Sequence, residues 1–111
     1  MATQNAEPDI RGDLPPAVVE DILSDEDRRR ALAALAAADE PIVVEDLAAI
    51  IVGERENCPP SAVSATDRAA MTEELFTEHI PKLMETAVVE YDSMLGSVEL
   101  RRRDIASQRR A

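Results

Sequence analysis

The stretch "HIPKLMETAVVEYDSMLGSVEL", residues 79 to 100, limits the possible fold more than any other part of the chain. Its first half has helical spacing, with Ile80, Leu83, Met84 and Ala87 three or four residues apart. Pro81 interrupts that helix, because it has no N–H to give the Thr77 carbonyl. The second half changes period. Val89 and Tyr91 alternate with Val88 and Glu90, Val98 and Leu100 flank Glu99, and Gly96 offers the positive φ that a hairpin loop often requires. A helix running directly into a β-hairpin is the expected local structure.

The apolar spacing upstream extends this helix back to Thr66, through Ala69, Leu75 and Phe76. Five or six turns are expected, either kinked about one turn before Pro81 or split into two helices meeting near His79. Earlier still, "LPPAVVEDILS" begins the ordered chain as a short first helix, with Pro16 at a first-turn position. "SDEDRRRALAALAAAD" is a second helix, with Ser24 as N-cap and Asp25, Glu26 and Asp27 over its positive end. "EPIVV" is a β-like run too short to form a sheet alone, and the hairpin supplies its partner. "VEDLAAIIVGERE" is a third helix with Leu47, Ile50 and Ile51 on one face and Gly53 in a frayed last turn. "NCPPSAVSA" breaks it as the longest internal loop.

The order helix, helix, strand, helix, helix, hairpin is that of an α+β, mostly α, winged helix-turn-helix with a small three-stranded sheet. Three regions are expected: a disordered acidic tail over 1–13, the winged domain over 14–100, and a basic C-terminal tail over 101–111. That last segment holds five arginines against Asp104, whereas residues 1 to 100 hold seven bases against 22 acids. It reads either as a solvated tail or helical extension, or as an arm for nucleic acid or an acidic partner.

The chain has 111 residues and a formal charge of −11, and Lys82 is its only lysine. Excess Asp and Glu, scarce Lys and abundant Ala match the composition of proteins from salt-loving archaea. Such a surface repels itself until salt shortens the screening length from about 10 Å at 0.1 M to about 3 Å at 1 M. Aromatics amount to Phe76 and Tyr91, and so thin a core favours a homodimer, through the first helix and the chain ends. The N-terminal stretch has acids where a secretory signal carries bases, and no apolar run approaches the ~20 residues that span a bilayer. A cytoplasmic protein with no membrane partner is expected.

The segments "LPPAVVEDILSDEDRRRALAALA", "VEDLA" and "HIPKLMETAVVEYD" resemble the small winged-helix domains of haloarchaeal proteins grouped as domain of unknown function 7344, and more loosely the ArsR-like regulators. The resemblance covers about residues 14 to 100. It implies a DNA-binding transcriptional regulator. Two positions depart from the pattern: Ala87 stands where the family often has glycine, which implies a less sharp helix exit, and "DSMLGS" at the wing tip carries no arginine or lysine.

Other chemistries find few residues. Cys58 and His79 are the only Cys and His, short of the four ligands of a structural zinc site, and three scattered glycines make no phosphate-cradling loop. No metal, cofactor or enzymatic activity is expected. His79 reads as a packed or DNA-facing helix residue rather than a catalytic base, and acidic pairs such as Glu73 with Glu74 read as solvated surface. For double-stranded DNA, the helix over 66–86 enters the major groove and the wing over 88–100 lies along the backbone. The candidate contacts are Arg68, Thr72, Thr77, His79 and Lys82, with Arg101, Arg102 and Arg103 in the tail. That helix carries two bases against Asp67, Glu73, Glu74, Glu78 and Glu85. Arg28 to Arg30 are expected to pair with Asp25 to Asp27 or with the first helix. Met94 and Leu95 at the wing tip suggest a protein partner, and the alternative function is a winged-helix interaction module that does not bind DNA.

Overall fold

The computed structural model describes residues 14 to 106; the expected tail over 1 to 13 and the end of the basic segment, 107 to 111, lie outside the described residues. Helix α1 spans Pro16–Ile22 with proline in its first turn, where no donor is lost. Helix α2 spans Glu26–Ala38. Its N-cap is Asp25, one residue later than expected: the Asp25 carboxylate accepts the Arg28 N–H at 2.9 Å. Ser24 instead donates its hydroxyl back to the Asp21 carbonyl at 2.7 Å and closes α1.

Strand β1 is Ile42–Val43 and runs straight into α3, Val44–Glu56. Gly53 is buried within α3 rather than frayed. Asn57 caps the helix at φ 63°, the Cys58 N–H donates to the Gly53 carbonyl at 2.8 Å, and a Cβ on Gly53 would stand 2.6 Å from the Cys58 carbonyl oxygen. Only glycine lets the "NCPP" turn close this tightly.

After a short 3-10 turn at Pro60–Ala62, α4 spans Ala65–Glu74, a π turn covers Leu75–His79, and α5 completes the helix over Ile80–Glu85. In the π turn the Ile80 N–H reaches the Leu75 carbonyl, five residues back. The extra residue lies just where the Pro81 ring would press on the Thr77 carbonyl, so the proline's interruption of the helix takes the form of a π turn. Leu75, Ile80 and Leu83 are buried with Met71, while Phe76 and Met84 turn outward, off the apolar face they were expected to join.

The exit from α5 is as sharp as a glycine would make it. Ala87 adopts φ 60°, its N–H donates to the Met84 carbonyl at 3.0 Å, and the Val88 N–H donates to the Leu83 carbonyl at 2.8 Å. This is a Schellman cap built on alanine, against the expectation of a looser exit.

Strands β2, Val89–Asp92, and β3, Ser97–Leu100, form the hairpin, and β1 pairs with β3 to give a three-stranded antiparallel sheet of order β1-β3-β2. The register sets Tyr91 opposite Val98 and Glu90 opposite Glu99. Val89, Val98 and Leu100 face the core with Leu35, Leu47, Ile51 and Leu83. The architecture is α+β and mostly helical, as the element order predicts.

The ordered chain continues past residue 100. The Arg101 and Arg102 N–H groups donate to the Val88 carbonyl at 2.8 and 3.2 Å, and a one-turn helix α6, Arg103–Ala106, buries Ile105 in the core. The described part of the basic segment is therefore packed against the domain. No helix among the described residues is long and apolar enough to cross a membrane.

Candidate nucleic-acid interface

Ser64 starts α4 by accepting the Asp67 N–H at 3.1 Å on its hydroxyl. From there Arg68 and Thr77 are exposed along the helix, with Thr72 half-buried between them. The Thr72 hydroxyl donates to the Arg68 carbonyl at 2.7 Å and the Thr77 hydroxyl to the Glu73 carbonyl at 3.0 Å. With their protons spent on the helix, both side chains offer outward an acceptor oxygen and a methyl group. That suits contact with a thymine methyl better than donation to a phosphate oxygen.

Arg68 lines a shallow groove between α3 and α4 with Glu45, Thr72, Glu73 and Phe76. Among the described residues its guanidinium makes no ion pair. The other cations expected to reach DNA are engaged within the chain. Lys82 pairs with Asp21 of α1, and its hydrogen bond and charge hold the Asp21 carboxyl below the ordinary value of 3.8. Arg101 pairs with Glu90 of β2 at 3.3 Å, and Arg103 pairs with Asp39 at the end of α2.

Two of the expected contacts are corrected outright. His79 is 2 % exposed, with Nε2 2.9 Å from the Glu74 carboxylate. The π turn rotates it inward, so it packs rather than facing DNA. Arg102 is 4 % exposed, because the chain bends at the Val88 carbonyl and folds it under the domain. His79 Nδ1 and Arg102 Nε are buried without a hydrogen-bond partner among the described residues.

Arg28 to Arg30 behave as structural cations. Arg28 Nε donates to the Ile22 carbonyl at 2.9 Å, Arg29 donates to the Leu23 carbonyl, and Arg30 pairs with Asp27 at 2.7 Å and Glu26 at 3.2 Å. The first two neutralise the carbonyl end of α1, and neither is free for phosphate. Around Asp25, burial is the largest influence and opposes ionisation. The N–H bonds of Arg28 and Asp27 and the charges of His79 and Arg28 outweigh it and hold the carboxyl below 3.8.

An exposed aromatic beside Arg68 was not among the expected features of this surface. Phe76 is 43 % exposed and meets the Tyr91 ring edge-on, centroids 5.7 Å apart. Its position beside Leu75 in an apolar stripe hid this, since adjacent residues on a helix point about 100° apart. No group of three or more His, Cys, Asp or Glu side chains among the described residues is placed to hold a metal ion.

A helix pair α3 and α4 joined by the loop over residues 57–64, a hairpin after the second helix, and a sheet closed by β1 together make a winged-helix-like arrangement. The family model described as "Domain of unknown function (DUF7344)" matches residues 20–99, and the chain belongs to that family. No curated protein and no solved structure matches the chain significantly.

Proposed function

We propose that the chain is a DNA-binding transcriptional regulator of winged-helix type, with the outward side of α4 entering the major groove of double-stranded DNA. The observation that carries this reading is Arg68, an exposed side chain that makes no ion pair among the described residues, on the helix that winged-helix proteins use for recognition. Thr72 and Thr77 add methyl and acceptor contacts. No catalytic role or cofactor belongs to the proposal. The assembly is a homodimer, placing two α4 helices on two half-sites, and the acidic remainder of the surface suits the protein to concentrated salt.

The charge balance sets how such binding behaves. With Asp67, Glu73, Glu78 and Glu85 exposed on the same helix, attraction to phosphates at large is weak, and affinity rests on a few direct contacts. Few phosphates are neutralised, so the dependence on salt is shallow, a slope of about −1 to −2 in log K against log salt rather than the −6 to −10 of strongly basic binders. The exposed apolar pair at the wing tip favours a protein partner there rather than a phosphate contact.

Fluorescence anisotropy with genomic fragments, in molar KCl, tests the reading. Wild type is expected to select a subset of fragments, and Arg68→Ala to weaken that binding by about 1 to 3 kcal/mol. Failure to select any fragment at any salt concentration defeats the regulator reading. Selection that survives Arg68→Ala moves the reading surface away from α4.

A further inference from the structure

We propose that the wing forms a docking strip for a positively charged protein segment with apolar anchors. This goes beyond DNA binding and does not depend on it.

Met94 is 92 % exposed and Leu95 is 69 % exposed, although the loop that carries them is well fixed. Asp92 Oδ1 accepts the N–H groups of Met94 at 2.9 Å and Leu95 at 3.2 Å, and the Gly96 N–H donates to the Asp92 carbonyl at 2.7 Å. An apolar pair held out on a pinned turn loses little freedom when a partner covers it. Isolated apolar residues on a surface call for no explanation, but these are not isolated. Leu95 lines one cleft with Tyr91, and Tyr91 meets the ring of Phe76. Met94 and Leu95 thus form an exposed apolar pair at the rim of that cleft.

The surrounding charge decides what covers it. Glu90, Asp92 and Glu99 border the cleft. Arg101 compensates Glu90 alone. A second copy would bring the same acids face to face, and nucleic acid or an anionic lipid surface would add negative charge to negative. A basic segment answers both features, with Leu-sized side chains on the strip and Arg or Lys toward the acids.

A labelled peptide alternating Leu with Arg and Lys serves as probe, beside one control with Ser for every Leu and one with Glu for every basic residue. Anisotropy in roughly 0.15 M KCl reads binding, and backbone amide shifts of the full chain map it. The expected result is binding of the full probe, a loss of at least about tenfold for each control, and the same loss for a Met94→Ser, Leu95→Ser double variant with unchanged circular dichroism. Shifts centred on residues 90 to 99 of the wing complete the support. Equal binding of the Ser control, indifference to the double variant, or a sedimenting dimer that the double variant abolishes each overturns the proposal. Duplex DNA binding is measured in parallel on the same variant. Its survival there separates the two surfaces, and its loss there assigns the wing to DNA and overturns the docking strip.

Discussion

His79 Nε2 lies 2.9 Å from the Glu74 carboxylate, five residues earlier in the same continuous helix. In a regular α-helix such a pair points in different directions. The π turn over Leu75–His79 brings the two into line, so Pro81, the π turn and the buried imidazole are one structural event.

The role of His79 is accordingly to fill space beneath the helix formed by α4, the π turn and α5. His79→Ala is expected to lose about 2 to 4 kcal/mol in urea unfolding, because a large buried side chain leaves a cavity. His79→Leu is expected to stay within about 1 to 2 kcal/mol of wild type, since it fills the space and removes the unpartnered Nδ1. DNA affinity of the folded His79→Leu protein is expected to equal that of wild type; a loss of specific binding with the fold intact would place the ring at the interface.

Ala87 holds a left-handed conformation, φ 60°, that costs an L-residue about 1 to 2 kcal/mol and glycine almost nothing. Glycine gives back part of that through its freer unfolded chain. Ala87→Gly is therefore expected to stabilise the domain by about 0.5 to 1 kcal/mol. A higher thermal midpoint with an unchanged helical spectrum checks this, and a lower one means the Schellman cap is not the resting geometry.

Gly53 presents the opposite case. Its added Cβ would stand 2.6 Å from a backbone oxygen, which cannot swing aside as a flexible side chain can. Gly53→Ala is expected to cost about 1 to 3 kcal/mol by forcing the Asn57 to Pro60 turn away from α3. Because that turn leads into α4, the amide shifts of residues 57 to 65 are expected to move with the loss of stability.

How far the structure could be read in advance depended on whether the deciding contact was local. The hairpin, the strand partner of Ile42 and Val43, and the break at Pro59 and Pro60 follow from turn chemistry and period, and all are present. The pairing of Arg28 to Arg30 was legible because helix ends demand it. The burial of Arg102 was not, because "RRRDIA" looks solvated until the Val88 carbonyl catches two of its N–H groups and Ile105 finds the core. Lys82 looked available for the same reason, since nothing near it in sequence announces Asp21. The candidate interface shrank from eight side chains to Arg68, unpaired among the described residues, with two threonines, and each loss came from a contact distant in sequence or from the extra residue of the π turn.

Acid is expected to weaken the domain through two carboxylates. Asp21 and Asp25 both have folded pKa values below the ordinary 3.8, so the folded state binds protons less readily than the unfolded state. Their contribution is complete above the unfolded value and disappears as pH falls through the folded ones, a window that opens below about pH 5. In thermal melts from pH 7 to pH 3, an Asp25→Asn variant is expected to start less stable and fall less steeply than wild type. Parallel curves would show that Asp25 carries no linkage. Asp21 is exposed and screened, and its share is expected to shrink as KCl rises.

Glu90 and Glu99 oppose each other directly across β2 and β3, a like-charge pair that a sheet disfavours. Arg101 reaches Glu90 at 3.3 Å and leaves Glu99 uncompensated. Glu99→Lys turns the repulsion into attraction, with an expected gain of about 0.2 to 1 kcal/mol at low ionic strength. The gain is expected to fade toward 1 M KCl, where the screening length of about 3 Å is shorter than the separation of the pair. Urea unfolding of both proteins at two salt concentrations measures the difference. A gain independent of salt would mean that the lysine stabilises by packing its methylenes rather than by charge. The same substitution removes an acid from the edge of the docking strip, so it is also expected to weaken the basic probe peptide while leaving selection of DNA by Arg68 unchanged.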